Sequence, residues 1–395
     1  MLRAAKRIAA VIADVAPGVS GSHHEFPEGI RHGLDRVSDA ERRPTTVGSA
    51  NSSAERHPRD DGSARSEISA EEGRALYEQV RSREPDSSDT GNRISQVDTS
   101  AGPAVVRFEL ERPIVPPQMR WMPQRTAVDF ARACGVRAPR ILYTGTARST
   151  GREFTIMQYV PGRTLGFDDP EMMNWLPDLL DQVQSMAARP LPAGMDLDIP
   201  TWQQRMIRHA DANYHGLSPV QRSRPEQLGI GPLSDYVQPD LNRAGERTSF
   251  AHNDLYPPNL RLDEQQNLWL LDWDSAGPSD PLYNAGFFLE RMGRNVDDAT
   301  HAQATDMWLE RIMPANCPVD TAAALGMYRD MEDWRALTMS SEAMRHAVSR
   351  DPSEFDGWVD WYDGLLARHP DWAVIPKDEL RDLVRGWTEQ ADPSA

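Results

Sequence analysis

Three polar residues that could bind phosphate or metal are concentrated between positions 252 and 274. Asp254 and Asn259 lie in the segment HNDLYPPN, where two prolines keep the chain out of regular structure. Asp272 follows the apolar run LWLL, which is typical of a short buried strand, and the polar residues 263–267 before this run predict a turn. A strand–turn–strand hairpin would bring the three side chains together in space.

These residue types match the requirements of phosphoryl transfer. The reaction needs a group that orients the attacking hydroxyl and accepts its proton, and it needs oxygen ligands for magnesium on the phosphates. We predict that Asp254 is the catalytic base and that Asn259 and Asp272 bind the metal. We expect His252 to shape the loop by hydrogen bonding rather than to carry a proton. Any one of these residues alone would be better explained by an acidic surface hairpin, but the ordered set favours a kinase-type site.

The ordered motifs resemble those of the aminoglycoside phosphotransferase and choline kinase families, whose fold is similar to that of protein kinases. The strings HNDLYPPNL and LLDWDSAGPSDPLYN are most similar to bacterial choline kinases, where the motifs typically read HNDLxxxN and DWEYxGxxDPxxD. The resemblance implies an α+β, bilobal protein-kinase-like fold with a small antiparallel-sheet N-lobe and a larger helical C-lobe. It also implies an ATP-dependent phosphotransferase that uses Mg²⁺ and a small-molecule hydroxyl acceptor.

The chain departs from the family pattern at four positions. Asp274 stands where bacterial choline kinases usually have Glu, and Asn284 stands where they usually have Asp. The second change removes a charge that should support the catalytic loop rather than the chemistry. Gln124 falls on the position of the helical glutamate that pairs with the phosphate-binding cation, and Asp129 on the same helix is a possible substitute. Arg345 replaces a tryptophan of the choline pocket, where a cation would repel choline.

The nucleotide is expected to bind to the N-lobe. Thr90 to Ile94 resembles the family segment GGxTNxxY, so Gly91 and Asn92 are expected to cover the nucleotide. Arg107, on a strand, is the candidate for the cation on the ATP phosphates, since arginine can bind phosphate in a bidentate fashion. The resemblance also places the hinge at Gln158 and Val160, where backbone groups would meet adenine.

The acceptor is expected to be small and cationic, either a choline-like amino alcohol or an aminoglycoside-type antibiotic. The formal charge of −17 suits a cationic substrate, and aromatic rings with carboxylates are what a quaternary ammonium site requires. The substrate candidates are Asp274, Glu342, Trp334, Trp358 and Trp361. The alternative for each tryptophan is an ordinary place in the hydrophobic core.

The order of sequence patterns predicts three regions. Residues 1–66 form a disordered or weakly helical extension because most of this segment has few large apolar residues. A secretory signal fits poorly, since Asp14 interrupts the short apolar run at the start. Residues 67–160 form the nucleotide-binding N-lobe, and residues 161–395 form a helical C-lobe with the catalytic loop and substrate pocket. A capping box at Ser69 and Glu72 starts the first helix.

Further helices are predicted at 126–134, 201–215, 282–293, 299–313 and 321–349, the last with a possible break.

Composition limits the remaining function classes. The excess of acidic residues argues against non-specific nucleic-acid binding, and no apolar stretch approaches the roughly 20 residues of a membrane span. Cys134 and Cys317 have no metal or redox spacing, which favours the cytoplasm. Two alternatives stay open. A non-catalytic kinase homologue would bind nucleotide or a protein partner, and a protein kinase is disfavoured because the HRD and DFG motifs are missing.

Overall fold

A computed structural model gives the fold of residues 68–83, 87–88, 92–109, 121–148, 151, 153–167, 169–191, 195–293, 295–312 and 320–389. The predicted N-terminal extension, with its candidate signal segment, lies outside the described residues, and so does Gly91.

An antiparallel sheet forms the N-terminal part of the fold. Its strands follow the order β1-β2-β3-β5-β4 and are β1 (Ser87–Ser88), β2 (Asn92–Thr99), β3 (Gly102–Glu109), β4 (Ile141–Thr146) and β5 (Glu153–Gln158). The strand–turn–strand predicted around residues 100–103 is confirmed. Gly102, at the start of β3, has a φ of 107°, a backbone conformation that glycine adopts without steric cost.

Helix α1 (Ala70–Val80) covers one face of this sheet. Ser69 caps it, because its side chain accepts a hydrogen bond from the backbone N–H of Glu72 at 3.1 Å. The capping box predicted here is only half formed. The Glu72 carboxylate accepts instead from the backbone N–H and the hydroxyl of Ser100, both at 2.6 Å. It thereby ties the helix to the β2–β3 turn. Tyr77 stacks on Phe154 of β5 with 4.3 Å between ring centroids.

Helix α2 (Gln124–Ala133) precedes β4, and the remaining helices follow β5. They are α3 (Met172–Ala187), α4 (Ile199–Gly216), α5 (Pro219–Gln227), α6 (Pro281–Gly293), α7 (Asp298–Ile312), α8 (Thr321–Met339), α9 (Ser341–Arg350), α10 (Phe355–Arg368) and α11 (Lys377–Glu389). The predicted helix 321–349 is broken at Ser340 into α8 and α9. None of the helices in the described ranges is long and apolar enough to cross a membrane.

Two small sheets carry the segments that contain the motifs. One has the order β6-β8-β9 and the other pairs β10 with β7; the strands are β6 (Arg163–Thr164), β7 (Ser249–Ala251), β8 (Leu260–Leu262), β9 (Leu268–Leu270) and β10 (Gly277–Ser279). The hairpin of β8 and β9 confirms the predicted strand–turn–strand. The pairing of β7 with β10 was not predicted. It joins Ala251 to Gly277 and so closes into a loop the chain that contains the predicted catalytic segment, residues 252–259.

Three hydrophobic clusters hold the fold together. One lies between α1 and the N-terminal sheet, one surrounds the β8–β9 hairpin with residues of α2 and α3, and one fills the C-terminal helices. The small antiparallel sheet followed by a larger helical part confirms the predicted α+β architecture.

Candidate active site

The segment after β7 is held in an unusual backbone conformation. Asn253 has a φ of 64°, in the left-handed region that asparagine tolerates better than most residues. Its backbone N–H donates to Oδ1 of Asn284 at 3.0 Å, and its Nδ2 donates to the carbonyl of Ser275 at 3.1 Å. Asn284 therefore supports the loop, as the sequence predicted for this position. Its neutral amide oxygen makes the contact without a charge.

Asp254 and Asn259 are joined directly. Nδ2 of Asn259 donates to Oδ2 of Asp254 at 2.8 Å and to the backbone carbonyl of the same residue at 2.9 Å. A short 3₁₀ turn at Pro257–Asn259 makes this contact possible. Both side chains are fully buried. Oδ1 of each residue has no hydrogen-bond partner within the described residues, so one carboxylate oxygen and one amide oxygen remain available to a ligand.

His252 connects the catalytic segment to the strand that leads to Asp272. Its Nε2 donates to the carbonyl of Leu271 at 2.6 Å, and its ring lies 4.5 Å from the ring of Trp273. Burial lowers the pKa of His252 to about 4, so the ring is neutral at physiological pH. The hydrogen bond to Leu271 and the neutral ring are compatible with the predicted role of His252 in shaping the loop.

Asp272 and Asp274 face the N-terminal sheet and bind Arg107. Nη1 of Arg107 lies 2.9 Å from Oδ1 of Asp272 and 2.8 Å from Oδ2 of Asp274. Arg107 lies on β3 and is 8% exposed, so this contact is a buried link between the sheet and the catalytic segment. Asp272 has a φ of 53°, which places a second left-handed residue at the site.

Arg107 was predicted to contact phosphates, whereas the structure pairs it with the carboxylate predicted to bind metal. Asp129, the possible substitute for the family glutamate, is exposed on α2. The acidic partners of Arg107 come instead from residues 272 and 274.

Burial raises the pKa of Asp254 well above its ordinary value, and the nearby Asp272 adds to this effect. The guanidinium groups of Arg291 and Arg335 act in the opposite direction, as does the hydrogen bond from Asn259. A carboxyl with a raised pKa is a better proton acceptor once it is ionised. The surroundings of Asp254 therefore disfavour its ionised form more than water does.

A group of buried polar residues next to Asp254 was missed by the sequence prediction. It consists of Tyr283 and Arg291 on α6 and Glu332 and Arg335 on α8, each 9% exposed or less. Oε2 of Glu332 lies 2.7 Å from Nη2 of Arg335 and 3.6 Å from Nη2 of Arg291. The signal in the sequence was the presence of charged residues inside the apolar stretches FFLERM and MEDWRAL.

Other predicted site residues are placed away from this group. Trp334 and Trp358 are 1% and 0% exposed and belong to the C-terminal core. Trp334 donates to the carbonyl of Gly231 at 2.9 Å, and Trp358 packs against Trp361 with 5.6 Å between ring centroids. Protein atoms cover Trp334 and Trp358, which favours the alternative of an ordinary place in the core for these two rings. Trp361 is half-buried, and its contact with substrate stays a prediction.

Glu342 lies on α9, but its side chain is outside the described part of the structure, as is that of Asn92 at the start of β2. At the predicted hinge, Gln158 accepts from the backbone N–H of Arg140 at 3.3 Å. The carbonyl of Val160 accepts from Nη1 of Arg261 at 2.8 Å.

The residues present fit a magnesium ion. Mg²⁺ is usually held by one or two carboxylates together with substrate phosphates and water. Asp272 supplies a carboxylate, and Asn259 directs a buried amide oxygen without a hydrogen-bond partner in the described ranges. Those same ranges contain no cluster of three or more His, Cys, Asp or Glu side chains in metal-binding geometry.

Comparison with known proteins gives the family. The model of the phosphotransferase enzyme family APH matches residues 82–334, so the chain belongs to this family. Membership agrees with the bilobal protein-kinase-like fold predicted from the motifs. No curated protein matches the chain.

Solved structures with a similar fold come from several bacteria. An aminoglycoside phosphotransferase from Streptomyces rimosus, in complex with ADP and streptomycin, is 19% identical; the match covers 67% of this chain and 98% of that one, with a TM-score of 0.44. A choline kinase from Streptococcus pneumoniae is 13% identical over 80% and 99%, with a TM-score of 0.39. A choline/ethanolamine kinase family protein from Mesorhizobium loti is 14% identical over 76% and 91%, with a TM-score of 0.37.

Proposed function

We propose that this protein is an ATP-dependent small-molecule kinase that transfers the γ-phosphoryl group to a hydroxyl and acts in the cytoplasm. Residues 67–160 would form its nucleotide-binding lobe, and residues 161–395 its catalytic and acceptor-binding lobe. The observation that carries the proposal is the buried pair of Asp254 and Asn259. It leaves one carboxylate oxygen and one amide oxygen without partners among the described residues.

Each side chain has a distinct part in the reaction. Asp254 accepts the proton of the acceptor hydroxyl as the new O–P bond forms, while the bond between the γ-phosphorus and the bridging oxygen breaks and releases ADP. Asn259 holds the Asp254 carboxylate through Nδ2, so that Oδ1 faces the acceptor. Asn259 Oδ1 and the carboxylate of Asp272 would hold Mg²⁺, which neutralises charge on the phosphates when bound.

Arg107 is the residue that must change partner when nucleotide binds. In the structure its guanidinium neutralises Asp272 and Asp274. Asp272 would hold Mg²⁺ and receive its compensating positive charge from that ion, and Arg107 would then bind phosphate oxygens. The ion pair thus keeps both carboxylates compensated before the nucleotide arrives. Gly91, Asn92 and the hinge at Gln158 and Val160 remain proposed nucleotide contacts.

The test is acceptor-dependent release of ADP by the purified protein with Mg²⁺ and ATP, using a panel of amino alcohols, hydroxy acids, sugar alcohols and aminoglycosides. Asp254→Asn removes the base without changing side-chain size. Asp306→Asn changes an exposed aspartate on α7 and is the matched control. We expect the wild-type protein to release ADP with at least one acceptor. Asp254→Asn should abolish this release, and Asp306→Asn should leave it unchanged. Absence of both ADP release and magnesium-dependent ATP binding would favour the alternative, a non-catalytic homologue that binds a protein partner.

A further inference from the structure

Two buried hydrogen-bond donors next to Asp254 lack a partner within the described residues. Nη1 of Arg291 and the hydroxyl of Tyr283 both make no hydrogen bond there. Arg291 is 9% exposed and Tyr283 is 1% exposed. A buried donor without a partner has lost its hydrogen bonds to water without replacing them, and this is more unfavourable when the donor is charged. Such groups are therefore rare in folded proteins unless water or a ligand supplies the acceptor.

Packing fixes the position of these donors close to the catalytic base. The Arg291 guanidinium lies 4.1 Å from the ring centroid of Phe287 and 4.8 Å from that of Tyr256, which is two residues after Asp254. Tyr283 packs against the same Phe287, with 6.0 Å between ring centroids. The Asp254 carboxylate acts electrostatically on both Arg291 and Tyr283. The two donors thus lie around Tyr256 and Phe287, beside the segment that carries Asp254.

Glu332 compensates the charge of Arg291 poorly. Its Oε2 lies 3.6 Å from Nη2 of Arg291 but 2.7 Å from Nη2 of Arg335. The Arg291 guanidinium therefore has a distant ion-pair contact to a carboxylate that Arg335 binds more closely. The second carboxylate nearby is Asp254, whose free oxygen is needed for the acceptor hydroxyl. A bound anionic group would supply the missing negative charge and the missing hydrogen-bond acceptors together.

We infer that the acceptor of this kinase carries an anionic group, a carboxylate or a phosphate, which binds to Nη1 of Arg291 and the hydroxyl of Tyr283 while its hydroxyl faces Oδ1 of Asp254. Only the placement of the acceptor hydroxyl at Asp254 rests on the proposed function. It revises the cationic acceptor that the sequence predicted, since the guanidinium groups of Arg291 and Arg335 act on Asp254 and Trp334 and Trp358 are covered in the core. A zwitterion with both charges remains compatible with it.

Binding of matched pairs tests the inference. L-Serine and ethanolamine differ by a carboxylate, L-carnitine and choline differ by a carboxymethyl group, and glycerol 3-phosphate and glycerol differ by a phosphate. Calorimetric titration of the full chain, with Mg²⁺ and a non-hydrolysable ATP analogue, gives a dissociation constant for each compound. We expect the anionic member of at least one pair to bind about tenfold or more tightly than its counterpart. Comparison of the phosphate pair with the two carboxylate pairs shows which of the two anionic groups the site binds.

Tyr283→Phe is the decisive variant because it removes only a hydroxyl that makes no hydrogen bond in the described structure. Its melting temperature should be unchanged or higher, while the dissociation constant of the anionic compound rises about fivefold or more. Arg291→Gln should have a larger effect on the anionic compound and little effect on its counterpart. Arg208→Gln, at an exposed position on α4, is the control for a general loss of positive charge.

Equal binding within every pair, or no binding of any anionic compound, would overturn the inference. Phosphoryl transfer to choline or ethanolamine, without preference for L-carnitine or L-serine, would refute the anion site and leave the proposed kinase activity standing. Preferential anion binding that depends on Tyr283, without ADP release for any acceptor, would support the anion site and refute the kinase activity. The two proposals can therefore fail separately.

Discussion

Replacement of His252 by glutamine should remove a defined part of the acid sensitivity of the fold. The pKa of His252 is about 4 in the folded protein, against 6.5 for an unperturbed histidine. Between these values the unfolded chain binds a proton that the folded protein does not, so the free energy of unfolding falls as the pH falls. The contribution is complete above about pH 6.5 and is lost by about pH 4. At about 1.4 kcal/mol per pKa unit, it amounts to about 3 kcal/mol.

The structure determines which variants isolate this effect. Glutamine can donate from Nε2 to the Leu271 carbonyl as the imidazole does, but it does not titrate. Asp254 has a raised pKa and acts in the opposite direction, because its protonation at lower pH favours the folded state. The comparison is therefore made in an Asp254→Asn background, which leaves the histidine as the main difference at this site.

The assay is urea unfolding at pH 7, 6, 5 and 4, without nucleotide or magnesium. Between pH 7 and pH 4, the Asp254→Asn protein should lose about 3 kcal/mol more stability than the same protein with His252→Gln. His215→Gln, at an exposed position at the end of α4, is the matched control and should leave the pH profile unchanged. Parallel profiles with and without His252 would show that the histidine is not held neutral by burial, and the reasoning would be refuted.

Substitutions at Asp254, Arg107 and Gly162 should each change the stability of the fold in a defined direction. Asp254→Asn should raise the melting temperature of the ligand-free protein at pH 7 while abolishing ADP release, because a buried carboxyl with a raised pKa destabilises the fold when ionised; a lower melting temperature would contradict this. Arg107→Ala should cost about 3–5 kcal/mol in unfolding by urea, since two buried carboxylates lose their cation. Magnesium should restore more stability to this variant than to wild type, and an equal response would argue against metal binding there. Gly162→Ala should cost about 2 kcal/mol or more, because φ is 122° and a Cβ would overlap the Leu262 carbonyl; unchanged thermal stability would show that the backbone can adjust.

Elements with a strong hydrophobic period could be predicted from the sequence. The helix expected at 282–293 is α6, Pro281–Gly293, and its apolar residues lie in the core. The strands β7 and β10 could not be predicted, because SFA and GPS are three residues long and the second contains both glycine and proline. Their pairing depends on contacts between segments far apart in the chain, which local propensity does not encode.

The candidate site also contains features that could be predicted from the sequence and contacts that could not. The hairpin that brings the motif residues together could be predicted because it is local, and the roles of those residues stay predictions. The partner of Arg107 could not, since Asp272 lies 165 positions further along the chain and charge pairing has no sequence period. The tryptophans show a related limit. Ring type indicates that Trp358 can bind a cation, but only tertiary packing determines that its faces are covered.

An anionic acceptor has to be reconciled with a chain of formal charge −17. The two effects act over different distances. Exposed acidic residues repel an approaching anion, but salt screens this repulsion over about 10 Å at 0.1 M ionic strength. Arg291 and Tyr283 are buried, where the effective dielectric constant is lower and screening is weak. Added salt should therefore speed association of the anionic compound and leave its dissociation rate nearly unchanged. A rim of exposed arginines would give the opposite result, with slower association at higher salt, so the salt dependence of the two rates separates a buried anion site from a surface one.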